Sequence, residues 1–538
     1  MTGSAVSTDP PRPGRRRRFS APTAAALWVV GLWAVLAAIR LSAPSDLMDL
    51  DQERPVSYAA DIIHHGRWIV QRDIDGEIAS KPPLVPWLAA GCAWIFGAGR
   101  LSHVTAALPS TFATLAVGLM LARGCRAAGG RVALLAASAW LMSGVALKQL
   151  SLTRTDPVFS ALVFAGALLG LRARRAGTAR AWTWFWLAAA AASLAKSPVG
   201  VALMAMAPLA AAWGAPRDAR TVRRGFPAAM AMHGPGVALF LALTVGWLAA
   251  ALAAEGRPVW DKMIGRELVG HIVAGDKGEA PGTGWWKPGF YFFTRFAPWG
   301  LLAVPAAVAV LARRNGIRAG LIDRAPGPRL DLAQGCAGLL LGGLAMFSAA
   351  GHQRQDLILP LVPPAALLAG MVLARMAPAR LPTGRLAVGL GAMAVSVSVA
   401  SFVGFHQVLP DQDLWRRTAL VRRAAREFVA AGGDPARLVH FNTPFAFQLE
   451  LGTCHRTVPL DDLIRRYGAL GTSETLTVAY RSDAPATDRL DPDGRYVFAV
   501  GRWPADTRYK ARVAIVSNRP PNRPAASSAP PPGSASPR

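Results

Sequence analysis

The chain has 538 residues, of which 52% are hydrophobic and 17% are charged, and its formal net charge is +27. Soluble globular proteins carry about 25% charged residues, so this composition excludes an ordinary soluble enzyme and favours a protein with many membrane-spanning helices. The arginines stand in short clusters between apolar runs instead of on one basic face, which argues against nucleic acid as a partner.

The first apolar run, Ala24–Leu41, follows the basic cluster Arg15-Arg16-Arg17-Arg18. The run exceeds the roughly 7–15 apolar residues of a signal peptide, and no small-residue cleavage site follows it. We therefore predict an uncleaved first transmembrane helix, preceded by a basic tail over 1–23 that stays in the cytoplasm.

Ten further apolar runs approach the roughly 20 residues needed to cross a bilayer. They lie at 102–122, 131–148, 157–171, 182–195, 198–214, 228–254, 289–312, 332–351, 355–375 and 385–408. Counted from a cytoplasmic N-terminus, the arginine-rich linkers near 123–131, 172–180, 217–224, 313–329 and 375–385 all fall in the cytoplasm, as the positive-inside rule requires. The sequence predicts an all-α polytopic membrane domain over 24–408 with about eleven transmembrane helices.

The same count places the loops 42–101 and 255–288, and everything after 409, on the outer face. Within the first loop, Ser57–His65 and Leu84–Phe96 mix apolar and polar residues in the way of helices that lie along the membrane surface. The outer segments hold clusters of acids, aromatics and histidines, whereas arginine dominates the cytoplasmic linkers. Function is therefore expected on the outer face.

The composition changes after Pro410. Asp413–Ala431 has the pattern of a basic amphipathic helix, and short strands are predicted at Leu438–Phe441, Leu476–Tyr480, Tyr496–Val500 and Val513–Val516. We interpret 409–517 as a small extracytoplasmic α/β domain. The remaining residues, 518–538, are rich in Pro, Ala and Ser, which is typical of a disordered tail.

Two outer-loop motifs carry groups suited to chemistry. The cluster Asp49-Leu50-Asp51-Gln52-Glu53 emerges just beyond the first helix, where a carboxylate can accept a proton from a hydroxyl or simply be solvated. In Lys81-Pro82-Pro83, two prolines fix the backbone after a lysine and begin a helix. The ammonium is then either a rigidly held phosphate ligand or a snorkelling surface charge.

The order of these motifs resembles the GT-C superfamily of membrane glycosyltransferases. It is similar to the bacterial relatives of dolichyl-phosphate-mannose–protein mannosyltransferases and to the lipid A aminoarabinose transferases. The resemblance runs over about residues 20–375 and is carried by Tyr58, Gly66-Arg67-Trp68-Ile69, Lys81-Pro82-Pro83-Leu84, Leu108-Pro109-Ser110, Arg154-Thr155-Asp156, Leu194-Ala195-Lys196-Ser197-Pro198, Pro298-Trp299 and Leu359-Pro360-Leu361-Val362-Pro363-Pro364.

This resemblance implies a bacterial inner-membrane enzyme that moves a sugar from a polyprenyl-phosphate donor to an envelope acceptor on the outer face. On that basis Asp51 matches the family's catalytic acid and Asp156 a second acid in the next outer loop. Lys81 matches the lysine proposed to bind the donor phosphate. The rest of the expected substrate-binding set is Glu53, Tyr58, Arg154, Lys196, His352 and Arg354.

The chain departs from the family pattern in several places. Ala79-Ser80 stands where many relatives have a polar or acidic residue suited to a metal, so the resemblance leaves a divalent metal undecided. Gln355-Asp356 replaces a basic and aromatic pair of many relatives. Two alternatives stay open on the sequence: a transporter or lipid flippase, and a non-catalytic relative that binds polyprenyl phosphate.

Overall fold

The computed structural model describes most of the chain as helix. The described residues are 21–42, 50–124, 128–214, 226–270, 284–312, 327–351, 353–376, 382–403, 423–441, 443, 445–459, 461–463, 465, 477–481, 497–501 and 513–517. The helices are α1 Ala21–Leu41, α2 Leu50–His65, α3 Leu84–Phe96, α4 His103–Leu119, α5 Gly130–Leu141, α6 Gly144–Leu150, α7 Thr155–Ala176, α8 Ala179–Ala195, α9 Val199–Gly214, α10 Phe226–Glu255, α11 Lys287–Arg295, α12 Gly300–Leu311, α13 Pro328–Ala349, α14 Val362–Met376 and α15 Thr383–Val403.

Every apolar run predicted from the sequence contains a helix among the described residues, and the runs at 131–148 and 289–312 are each broken into two. Among the described residues, six helices are long and apolar enough to cross a membrane, and the pair α5 and α6, bent by 64°, makes a seventh if it counts as one span. The run at 289–312 is divided between α11 and α12. The chain is thus a multi-pass membrane protein, and the total of eleven spans stays a prediction.

Glycines let the helices of the membrane domain approach closely. A Cβ placed on Gly338 of α13 would lie 2.2 Å from the Cβ of Ala210 on α9. A Cβ on Gly370 of α14 would lie 2.8 Å from the backbone nitrogen of Ala136 on α5. Such contacts are typical of membrane interfaces, where small residues allow backbones to meet. The first contact packs α13 on α9, and the second packs α14 on α5.

The loop 42–101, hereafter the first outer loop, is predicted to lie on the outer face and contains the two helices expected there. α2 begins earlier than predicted, at Leu50, and α3 has the predicted bounds. Near the end of α2, buried Asp61 accepts hydrogen bonds from the backbone N–H of Arg72 at 2.9 Å and from the side chain of Arg67 at 3.3 Å. This carboxylate holds the turn that leads from α2 towards Lys81.

The C-terminal segments contain the strands β1 Leu438–Phe441, β2 Thr477–Arg481, β3 Val497–Gly501 and β4 Val513–Ser517, in the order β1-β2-β4-β3. β1 and β2 are parallel, and the other pairs are antiparallel. A helix is described over 423–430, and a short helix, α16, spans Phe445–Leu451. The rest of the helix predicted at 413–431 lies outside the described residues, as do 1–20 and 518–538. A separate α/β domain over 409–517 stays a prediction.

Several described C-terminal residues between 424 and 449 pack on the first outer loop. Phe428, Phe445 and Phe447 are fully buried in a cluster that includes Val56 and Ala59 of α2. The backbone N–H of Phe445 donates to Glu53 Oε1 at 2.5 Å. This contact braces α2 against residues nearly 400 positions away in the chain.

Candidate functional site

A cavity of about 890 Å³ lies between the outer loops and the ends of several membrane helices. Five cationic and three carboxylate side chains line it, which leaves an excess of two positive charges. They are Arg54, Lys81, Arg154, Lys196 and Arg354, with Asp156, Glu267 and Asp356. Because apolar residues of α10, including Phe240 and Leu248, line the same cavity, it suits a ligand with an anionic group and a hydrocarbon chain.

Lys81 stands directly before the two prolines that lead into α3. Pro83 has a helical backbone at the N-cap, and α3 begins at Leu84. The ammonium of Lys81 forms an ion pair with Glu267, on a π-helical segment, Trp260–Gly270, in the second outer loop. The prolines therefore hold the lysine at the cavity wall, where a carboxylate from another loop meets it.

Arg154 pairs with Asp356 at a nearly buried position. Their side chains are 9% and 16% exposed, and Asp356 also accepts a hydrogen bond from Gln149 Nε2 at 3.1 Å. Arg154 is the N-cap residue of α7, and its carbonyl accepts a bond from Ser110 Oγ. The pair ties the start of α7 to the 3₁₀ segment Gln355–Leu361 that precedes α14.

Lys196 forms the third ion pair in the cavity, with Asp156 in the first turn of α7. Lys196 is the C-cap of α8, which ends there because Pro198 follows. Its Nζ lies 5.8 Å from the centroid of the Phe159 ring, a cation–π distance. The helix end thus presents a cation and an acid side by side.

Tyr58 lines the cavity from α2. Its hydroxyl oxygen accepts a hydrogen bond from the backbone N–H of Ser80 at 3.4 Å. Burial, reinforced by the nearby carboxylate of Asp73, raises the pKa of Tyr58 to about 12. The phenol is therefore protonated near neutral pH and can act as a donor to a ligand oxygen.

The predicted site residues divide into three groups. Those that line the cavity are Lys81, Tyr58, Arg154, Asp156, Lys196 and Arg354. Glu53 is not among the lining residues. Its Oε1 instead accepts a hydrogen bond from the backbone N–H of Phe445. Asp51 lies in the first turn of α2, with its side chain outside the described residues, and His352 lies outside them altogether. The roles assigned to these residues stay predictions.

Sequence reasoning did not anticipate the counter-ions Glu267 and Asp356 or the apolar wall from α10. Their separation in sequence from Lys81 and Arg154 gives no local signal of pairing. Among the described residues, no group of three or more His, Cys, Asp or Glu side chains is arranged to hold a metal ion.

Two solved structures share this fold. ArnT from Cupriavidus metallidurans bound to undecaprenyl phosphate superposes with a TM-score of 0.64 and 17% identity, over 92% of this chain and 98% of that one. The apo state of the same protein gives 0.63 and 16%, over 93% and 99%. A scan against protein-family models and a search of curated proteins return no match. At these identities the likeness establishes that the chain shares the fold of ArnT.

Proposed function

We propose that this chain is an integral membrane glycosyltransferase that moves a sugar from a polyprenyl-phosphate donor to an acceptor on the outer face of a bacterial inner membrane. The observation that carries the proposal is the cavity itself, in which Lys81, Arg154, Lys196 and Arg354 share space with the apolar wall of α10. A solved structure of the same fold is of a protein bound to undecaprenyl phosphate.

In this proposal the donor phosphate lies among the cations while its isoprenoid chain follows the apolar side of α10. Phosphate oxygens suit ammonium and guanidinium groups in a poorly hydrated site. Charge that develops on the departing phosphate is stabilised most by cations that are already in place, since no reorganisation is then required. Lys81 is our choice for the principal phosphate ligand.

Transfer then proceeds by displacement at the anomeric carbon. The acceptor oxygen or nitrogen forms its bond to that carbon as the carbon–oxygen bond to phosphate breaks, and polyprenyl phosphate leaves with the electron pair. Asp51 takes the acceptor proton as general base. Asp156, which is already paired with Lys196, orients the ammonium of that lysine. A single displacement inverts the anomeric configuration.

Transporters also have many membrane helices and a polar cavity. Their binding sites, however, are formed by discontinuous helices near the bilayer midplane. The bent pair of α5 and α6 is such a discontinuity among the described residues. None of its residues lines the main cavity, however, and the charged groups there come from outer loops and helix ends. The geometry therefore favours transfer over transport.

The test is mass spectrometry of lipid-linked sugars and envelope glycans in four strains. They carry the intact gene, no gene, the variant Asp51→Asn, or the control Glu427→Gln, which changes a carboxylate in the exposed Arg423–Glu427 pair. We expect one polyprenyl-phosphate sugar to accumulate and one glycan modification to disappear in the null and Asp51→Asn strains only. Unchanged pools in the null strain, while the intact strain expresses the protein and makes its substrates, would reject glycosyl transfer. Full transfer by Asp51→Asn would remove Asp51 as the base.

A further inference from the structure

Ion pairs join the π-helical segment Trp260–Gly270, and the end of α10 before it, to the first outer loop. Lys262 Nζ is 2.8 Å from Glu77 Oε2, and Arg72 bonds to Glu255, just before the segment, at 2.5 Å. Met263 is buried in a cluster with Tyr58, Val70 and Ile78 of the first loop. These contacts dock the segment independently of its third ion pair, between Glu267 and Lys81.

That third pair differs from the other two because both partners line the main cavity. The side chains of Lys81 and Glu267 are 30% and 18% exposed, so their attraction is only partly screened by water. The Glu267 carboxylate is paired with the Lys81 ammonium, which is the group that binds the donor phosphate in the proposed function. An incoming phosphate and Glu267 are therefore competing anions for one cation.

We infer that Glu267 is a displaceable counter-ion of Lys81, which lowers the affinity of the cavity for polyprenyl phosphate and helps to release it as product. This inference rests on the proposed function, since it assumes that Lys81 receives the phosphate. Glu267 is a positioning residue: it acts on the ligand through Lys81. Removal of its charge strengthens ligand binding, whereas damage to the docked segment weakens it.

Affinity is measured with the full-length chain in lipid nanodiscs, with undecaprenyl phosphate as the probe and undecaprenol, which lacks the phosphate, as its neutral counterpart. The variants are Glu267→Gln, the charge-conserving Glu267→Asp, Lys81→Met, and the control Glu77→Gln, which breaks an ion pair of the same segment away from the cavity. We expect Glu267→Gln to bind the phosphate about tenfold more tightly. Glu267→Asp and Glu77→Gln keep wild-type affinity, Lys81→Met loses it, and undecaprenol binding is the same in all.

The outcomes separate the inference from the function on which it rests. If the wild-type chain binds no undecaprenyl phosphate, the proposed function fails. If the wild type binds it through Lys81 but Glu267→Gln binds equally or more weakly, the counter-ion role is overturned. Equal tightening by Glu77→Gln, or tightening towards undecaprenol, also overturns it, because the effect would then come from the docking of the segment. Thermal unfolding of each variant identifies any that do not fold, and Glu267→Asp then decides: wild-type affinity supports the role and altered affinity opposes it.

Discussion

Loss of either partner of the Arg154–Asp356 pair should destabilise the protein strongly. Both side chains are nearly buried, with 9% and 16% exposed. Removal of one partner from a buried ion pair costs about 3–5 kcal/mol, because the other charge stays in a poorly hydrated place. We expect Arg154→Met and Asp356→Leu each to lower the free energy of unfolding by about this amount.

The double variant Arg154→Met/Asp356→Leu should cost less than the sum of the two, since it leaves neither charge buried. We expect a coupling energy of about 2–3 kcal/mol, at the upper end of values for residues in contact. The exposed pair Arg423–Glu427, with side chains 69% and 45% accessible, is the matched control. Its coupling should be about 0.3–0.5 kcal/mol, as for other solvent-screened helix pairs.

The assay is equilibrium unfolding in mixed detergent micelles titrated with SDS and followed by tryptophan fluorescence. The comparison uses the wild type, the two single variants and the double variant for each pair. Costs for Arg154 and Asp356 that add to within about 0.5 kcal/mol would refute the reasoning. The start of α7 and the segment Gln355–Leu361 would then be held by packing alone.

Three other predictions concern packing and protonation. Gly338→Ala should destabilise by about 1–3 kcal/mol in the same assay, since its Cβ would overlap α9, whereas Gly31→Ala, with nothing within 4 Å, should be neutral or stabilising. Burial lowers the pKa of His440 from 6.5 to about 3, so the unfolded state binds more protons between these values and stability falls as the pH drops below 6.5. Hydrogen-exchange protection of β1, corrected for intrinsic rates, should fall by up to about tenfold per pH unit there, and His440→Leu should remove this dependence. Tyr58→Phe should leave tyrosinate absorbance unchanged up to about pH 10, because the wild-type phenol is still protonated; a loss of one tyrosine's signal would contradict the raised pKa.

The helices were largely predictable from sequence because hydropathy and proline positions are local signals. α3 follows Pro82-Pro83 as expected, and α8 ends before Pro198. The bend between α5 and α6 was not predicted, since 132–147 is largely apolar and contains no proline. The start of α2 at Leu50 was also missed, because Pro55 and a run of charges obscure its helical pattern.

The candidate site was predictable in most of its cations, in Tyr58 and in one acid, Asp156. The resemblance to GT-C enzymes pointed to Lys81, Arg154, Lys196 and Arg354, all of which line the cavity. The counter-ions of Lys81 and Arg154 were not identified, because each pair joins residues about 200 positions apart in the sequence. Glu53 illustrates the same limit, since its partner lies in a segment that no local pattern connects to α2.

The bond between Glu53 and the amide of Phe445 has a consequence for how the protein matures during synthesis. α2 is made first, and the residues that pack on it, Phe428, Phe445 and Phe447, follow nearly 400 residues later. Chains emerge at about 5–20 residues per second, so α2 waits on the order of tens of seconds for its partner. The wall of the cavity that carries Tyr58 is therefore completed only after this later segment has been made, and a chain truncated before Phe428 would insert its membrane helices without finishing this wall.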